Sequence, residues 1–312
     1  MRLRLSVSIL SLLAAPAWAE VPRVLADTAP VHSLVALVMG DLGTPAIAVA
    51  PGTSPHDSGL SPSQAGALSE ADLILWTGPT FLPWMEEAIA ALAPDARAVA
   101  LLDSPGWEAL PARAGVRLHE EHGHEEHGHE EEEPGHGEDG AAIDPHAWLD
   151  PAVAQAWLST IAGALAAEDP EHAATYRANA AAAALRLDAL GDDLRARLAP
   201  FAWQGFAVGH DAYQYLERAS GLPANWAVAR ADGSAAGPGD VAALRDAVVA
   251  GEVSCLLLDP EAERGWADTL GEGTALRVAT VDPDGVLLEP GPGLYEALMG
   301  TMADALEGCL AP

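Results

Sequence analysis

The sequence predicts an α/β protein of two lobes, each with its own parallel sheet, joined by a single long rigid helix. Three observations predict it. Short apolar runs alternate with helical patterns as far as residue 102. An alanine-rich stretch then runs through 151–198 with no strand in it, and the alternation restarts at residue 205. Strand and helix in alternation is the pattern of parallel sheets, whose crossovers are helical.

The elements follow in order. Arg2 and Arg4 precede an apolar run at 5–15, and Ala17-Trp18-Ala19 stands before Glu20. That is the pattern of a secretory signal peptide occupying residues 1–19, and it predicts export with cleavage after Ala19. No cysteine lies near the cleavage point, so no lipid anchor is expected, and no later stretch reaches about 18 residues without charge. The N-terminal lobe is expected over 20–166. Within it 46–50, 72–76 and 98–102 read as buried strands, and 31–40, 63–69 and 83–92 as helices. Ser61-Pro62-Ser63-Gln64 is a helix start, with Ser61 as N-cap and Gln64 closing a capping box.

Residues 118–140 interrupt the pattern and are expected to form a disordered His/Glu-rich loop. A helix over 151–167 is broken at Asp169-Pro170, and a second over 171–198 is stopped by Pro200. The second would be about 42 Å long, which suits a link between lobes (167–199) better than one crossover. The C-terminal lobe, 200–312, then reads as strands at 205–209, 226–229, 254–258 and 275–281, separated by helices at 212–220, 241–251, 261–270 and 294–309.

Charge narrows the partners. Against 46 acidic residues stand 15 basic ones, a net charge of −31. Nucleic acid and anionic membrane surfaces would repel such a chain, and a monomer is expected. The segment 119–139 holds ten acidic residues and no basic one, about a third of the imbalance.

Seven of the eleven histidines fall within residues 119–146. Six of them (His119, His122, His124, His127, His129 and His136) are interleaved with glutamate and glycine, a compositional signal for metal binding. The seventh, His146, sits in Asp144-Pro145-His146-Ala147-Trp148-Leu149-Asp150-Pro151, just before a helix. His56, in Ser54-Pro55-His56-Asp57, follows a strand, and His210, in Val208-Gly209-His210-Asp211, ends one. Ligands of open α/β sheets gather at the carboxyl ends of strands, so all three can face one crevice. Asp57 and Asp211 follow two of them and are candidates to accept the ring N–H and fix the tautomer. Asp259, at the end of Cys255-Leu256-Leu257-Leu258-Asp259, reads equally as a fourth ligand or as a helix cap. Three imidazoles with a carboxylate or water make a four-coordinate site suited to Zn²⁺. His32 and His172 lie on helical patterns and read as structural.

Three histidines and a water also describe hydrolytic zinc. The chain carries no HExxH, no Gly-x-Ser-x-Gly and no phosphate-cradling glycine loop, so an enzyme is not expected. Cys255 and Cys309 read most simply as a disulfide in an exported chain, the other reading being two separate core thiols.

With the segments DPHAWLDP and GHDAYQYLERASGL in view, the chain resembles the periplasmic zinc-binding proteins of the ZnuA type. These are the substrate-binding components of high-affinity zinc ABC importers, within the metal-specific cluster of solute-binding proteins. The resemblance spans the whole chain after the signal. It implies capture of Zn²⁺ between two lobes and delivery to a membrane ABC permease with its ATPase. Residue by residue it implies His56, His146 and His210 as metal ligands, Asp259 as an acidic residue of the site, and a Cys255–Cys309 disulfide. Manganese-type relatives replace the third histidine by glutamate, whereas His210 keeps a nitrogen donor here, which favours zinc. The other readings are a zinc-sequestering or adhesin-like protein on the same fold, a manganese-binding relative and a metallohydrolase.

Overall fold

The computed structural model describes residues 21–55, 59–113, 115–118, 142–231, 234–260 and 265–311. Two four-stranded, all-parallel sheets carry the fold. The first is made of β1 (Val24–Ala26), β2 (Ala46–Ile47), β3 (Leu73–Trp76) and β4 (Arg97–Ala100), in the order β2-β1-β3-β4. The second is made of β5 (Phe206–His210), β6 (Trp226–Ala229), β7 (Cys255–Leu258) and β8 (Arg277–Thr280), in the order β6-β5-β7-β8. Each sheet therefore places its first strand second in line and reverses direction beside it, so each has a crevice between its first and third strands at their carboxyl ends.

Most elements stand where the apolar patterns put them. β1 is the exception, central to its sheet and missing from the sequence reading. Three buried residues are too few to display a period of two. The run at 46–50 is shorter than expected as a strand, because the chain leaves the sheet after Ile47; its amides at Ala48 and Val49 still bond the carbonyls of Ala26 and Asp27, both at 2.8 Å.

Helices α1 (Ala29–Met39), α2 (Pro62–Glu70) and α3 (Pro83–Leu92) belong to the first half, and α2 carries the full capping box of Ser61 and Gln64. α4 (Pro151–Glu168) starts on Asp150, whose carboxylate accepts the Ala152 amide at 2.8 Å. Asp169 accepts the His172 amide at the corner, and α5 (Ala173–Leu198) then runs for 26 residues. α5 packs on α1 and α4 on one side and on α6 (Gln214–Ser220) and α9 (Leu294–Leu310) on the other, so one rod touches both halves. α7 (Pro238–Ala250) and α8 (Gly265–Gly271) complete the second half.

One continuous hydrophobic core runs through both halves, and a smaller one lies between β6, β7, α7 and α8. α9 packs on α1 and α5 as well as on β7 and β8, and a disulfide joins Cys309 on α9 to Cys255 on β7. Closing a loop across 54 residues contributes roughly 4 kcal/mol in the chain-entropy treatment. A second tie crosses in the other direction. Val116, Arg117 and Leu118 add an antiparallel segment to the free edge of β6, through Leu118 N to Asn225 O at 2.9 Å and Ala227 N to Val116 O at 2.7 Å. The Arg117 guanidinium stacks on Trp226 at 4.5 Å from the ring centre.

Candidate metal centre

Two of the imidazoles singled out in the sequence meet. His146 stands just before the 3-10 turn Ala147–Leu149, and His210 is the last residue of β5. Their ring centres are 5.4 Å apart in an edge-to-face arrangement. His146 is fully buried, and the His210 side chain is 13% exposed, so the pair is largely shielded from solvent.

Each ring is held from behind by a carboxylate. Asp144 Oδ1 lies 2.9 Å from His146 Nδ1 and also accepts the His146 amide at 3.0 Å, while its Oδ2 accepts Gln214 Nε2 at 3.2 Å. Asp259 Oδ2 lies 2.6 Å from His210 Nδ1, and its Oδ1 accepts the Tyr213 hydroxyl at 2.7 Å. A neutral imidazole that donates from Nδ1 keeps its lone pair on Nε2, the tautomer that binds a metal. Both carboxylates therefore act on ring orientation.

Two candidate acids face different partners. Asp259, which reads equally as a fourth ligand or as a helix cap, has both oxygens engaged by His210 and Tyr213. It directly follows β7, which pairs with β5, so its side chain reaches the back of the ring. Asp211, read as the group that fixes the His210 tautomer, turns the other way. Consecutive side chains of an extended chain point to opposite sides, and Asp211 is taken by Arg113, whose Nε is 2.9 Å from Oδ2. The same guanidinium reaches Glu217 Oε1 at 2.7 Å. Burial pushes the Asp211 carboxyl up despite that cation.

The electrostatics follow from the packing. Burial alone would lower the His210 ring, yet the Asp259 hydrogen bond and charge, with Asp284 and Asp211 beyond, hold it above the ordinary imidazole range. Burial opposes the Asp144 carboxylate, but its bonds to His146 outweigh that and keep it below the usual range. Phe81 and Trp148 pack beside His146, with ring centres 5.5 and 5.4 Å from it, and wall the site with apolar surface.

Asp284 is the residue that the sequence reading missed. It follows β8 in Val281-Asp282-Pro283-Asp284-Gly285, and its Oδ1 is buried with no hydrogen-bond partner among the described residues. Burial pushes its carboxyl up to about 7, against the pull of His146 and His210 and with the repulsion of Asp259 and Asp282. It lines a small cavity with Thr28, Val49, Ala50, Pro51 and Pro55. The strand-end reasoning that picked Asp259 after 254–258 reaches Asp282 when applied to 275–281, two residues short of Asp284.

His56 and Asp57 lie outside the described residues, as do His119, His122, His124, His127, His129 and His136. Among the described residues no group of three or more His, Cys, Asp or Glu is drawn together closely enough to hold a metal. They contribute the oriented imidazole pair, with Asp284 near enough for both rings to act on its charge. His32 and His172 serve the scaffold: His32 Nε2 lies 3.0 Å from the Pro45 carbonyl, and His172 Nδ1 lies 2.7 Å from Asp169 Oδ2.

Two α/β halves sharing one long helix, with oriented side chains buried where their strand ends face each other, define a protein of the two-lobed solute-binding class. A protein-family model described as zinc-uptake complex component A, periplasmic (ZnuA), matches residues 24–309, and the chain belongs to that family. It is 40% identical over 307 residues to the high-affinity zinc uptake system protein ZnuA of Paracoccus denitrificans, covering 95% of this chain and 94% of that one. It is 35% identical over 299 residues to the protein of the same name from Brucella suis, covering 90% of each. A crystal structure of a ZnuA deletion mutant with zinc bound superposes with a TM-score of 0.74 at 21% identity, over 93% of this chain and 98% of that one. No helix among the described residues is long and apolar enough to cross a membrane.

Proposed function

We propose that this chain captures Zn²⁺ in the periplasm and delivers it to a membrane ABC permease and its ATPase, without catalysing a reaction. The observation that carries the reading is the imidazole pair of His146 and His210, each with Nδ1 on a carboxylate and both within electrostatic reach of the buried Asp284. We assign the ligand set to His56, His146, His210 and Asp284, with Asp144 and Asp259 orienting the two rings. Three nitrogens and one oxygen suit four-coordinate zinc and disfavour manganese, which prefers oxygen. The chain is exported as a monomer after cleavage behind Ala19. The six histidines from His119 to His136 hold further zinc weakly, because a segment that must be ordered around the ion gives up conformational entropy.

The test is competitive zinc titration of the chain from residue 20 onward. It compares wild type with His146→Ala, His210→Ala and a deletion of 119–139. Wild type should hold one chelator-resistant zinc plus weaker equivalents. Each histidine variant should keep only the weak ones, and the deletion only the tight one. Tight binding by His210→Ala would overturn the assignment.

A further inference from the structure

We infer that Trp148 is a positioning residue: by donating its indole N–H to the Pro283 carbonyl it sets where Asp284 stands relative to His146. The inference rests on the zinc site proposed above and adds a residue that touches no metal.

The geometry is that of a bridge. Trp148 is fully buried, two residues along from His146, and its Nε1 lies 2.8 Å from Pro283 O, across 135 positions of sequence. The same indole packs against Phe81, with ring centres 4.8 Å apart, and against His146. Its backbone carbonyl accepts the Tyr295 hydroxyl at 2.6 Å, which fixes the residue from the α9 side. One side chain thus contacts a zinc-ligand ring directly and holds the peptide next to the acidic ligand.

The turn on the receiving side is rigid in itself. The Asp282 carboxylate accepts the amides of Val286 and Leu287 at 3.0 and 2.8 Å. Gly285 has φ +67, and a Cβ there would lie 3.2 Å from Leu294 Cδ2, so the turn is seated against α9 as well. Val286 O accepts the amide of Gly52, from the loop leading to His56, at 2.8 Å. The turn that carries Asp284 is therefore docked onto both first-half segments that supply histidines, and Trp148 makes the side-chain contact.

Burial does not by itself demand this bond. Trp107 and Trp157, packed on each other in the same core, leave their indole N–H groups without an acceptor among the described residues. The Trp148 bond is thus a specific feature of the site rather than a general one of buried indoles here. Partners one shell out from a metal commonly govern its affinity by roughly ten- to hundredfold.

The test is a double-mutant cycle on zinc affinity, using the mature chain and a competing chelator. Trp148→Phe keeps the ring and removes the donor, and it should weaken tight zinc binding by roughly ten- to hundredfold. In an Asp284→Asn background the same substitution should cost less than about threefold, because the group it positions no longer ligates. Trp157→Phe, an equally buried indole with no such acceptor, should lower thermal stability and leave zinc affinity unchanged. If Trp148→Phe does not fold, Gly285→Ala disturbs the same turn from its other side and must show the same loss and the same non-additivity. Full additivity with Asp284→Asn, or wild-type affinity in the folded single variant, overturns the inference. Absence of tight zinc from the wild-type protein, or wild-type affinity in Asp284→Asn, would instead bring down the site proposed above.

Discussion

The two sheets share one strand order and use the crevice beside their first strand in opposite ways. In the first half the crevice between β1 and β3 is closed by Asp27, which follows β1. Its Oδ1 accepts the Thr28 amide at 2.7 Å and its Oδ2 the Thr77 amide at 2.6 Å, so it ties together the ends of the two central strands. In the second half the matching crevice, between β5 and β7, holds Asp259 facing His210 and Tyr213. Both aspartates are strand-end carboxylates. One satisfies backbone donors and seals the sheet, whereas the other aims an imidazole. Strand order thus supplies a place where a ligand can bind, and the residues immediately after the strands decide whether that place is filled by the protein itself.

The contrast can be broken from either side. Asp27→Ala leaves two buried amides without an acceptor, and we expect a stability loss of roughly 3 kcal/mol. Denaturant unfolding measures that, and tight zinc binding should survive at concentrations of folded protein. Loss of zinc with the fold intact would make Asp27 part of the site and erase the distinction. Asp259→Asn should do the reverse. It should weaken tight zinc by roughly ten- to hundredfold, equivalent to about 1.4–2.7 kcal/mol, with little change in unfolding midpoint. A large stability loss with unchanged zinc affinity would reduce Asp259 to a second seal.

The same contrast explains what the sequence discloses. The alternation of apolar runs and helical patterns is enough for two parallel sheets and a long shared helix, because burial on both faces leaves a direct mark on composition. His146 is legible for a local reason: Asp144, the carboxylate that orients it, lies two residues away in the same segment. His210 is legible as a strand-end histidine, but its partner is not. Asp211 is adjacent in sequence and Asp259 is 49 residues away, and only the pairing of β5 with β7 makes the distant one the neighbour. Asp211 is instead drawn to Arg113, a pairing across 98 residues that no local pattern signals. Asp284 stayed hidden because its turn, Asp282-Pro283-Asp284-Gly285, reads as ordinary turn chemistry until the other half is folded against it.

The last prediction concerns protons, and it sharpens the comparison at Asp284. Burial holds this carboxyl up to about 7 in the metal-free protein, well above the 3.8 of an exposed aspartate. An acid whose folded pKa is raised binds its proton more readily when folded. It therefore favours the folded state at low pH, and that contribution is lost as pH rises from about 4 to about 7. His210, also raised, acts in the same direction, so the wild-type slope alone does not isolate Asp284. The difference between wild type and Asp284→Asn does. Between pH 4.5 and 7.5 the metal-free wild type should lose more thermal stability than the variant, which has no carboxyl to ionise. Zinc should then restore stability in the wild type most strongly at the upper end of that range, where the carboxylate is available as a ligand, with proton release near pH 6 seen as a buffer-dependent heat of binding. Parallel stability curves for the two proteins would mean that Asp284 is ionised in both states and that burial, at this turn, does not govern its proton.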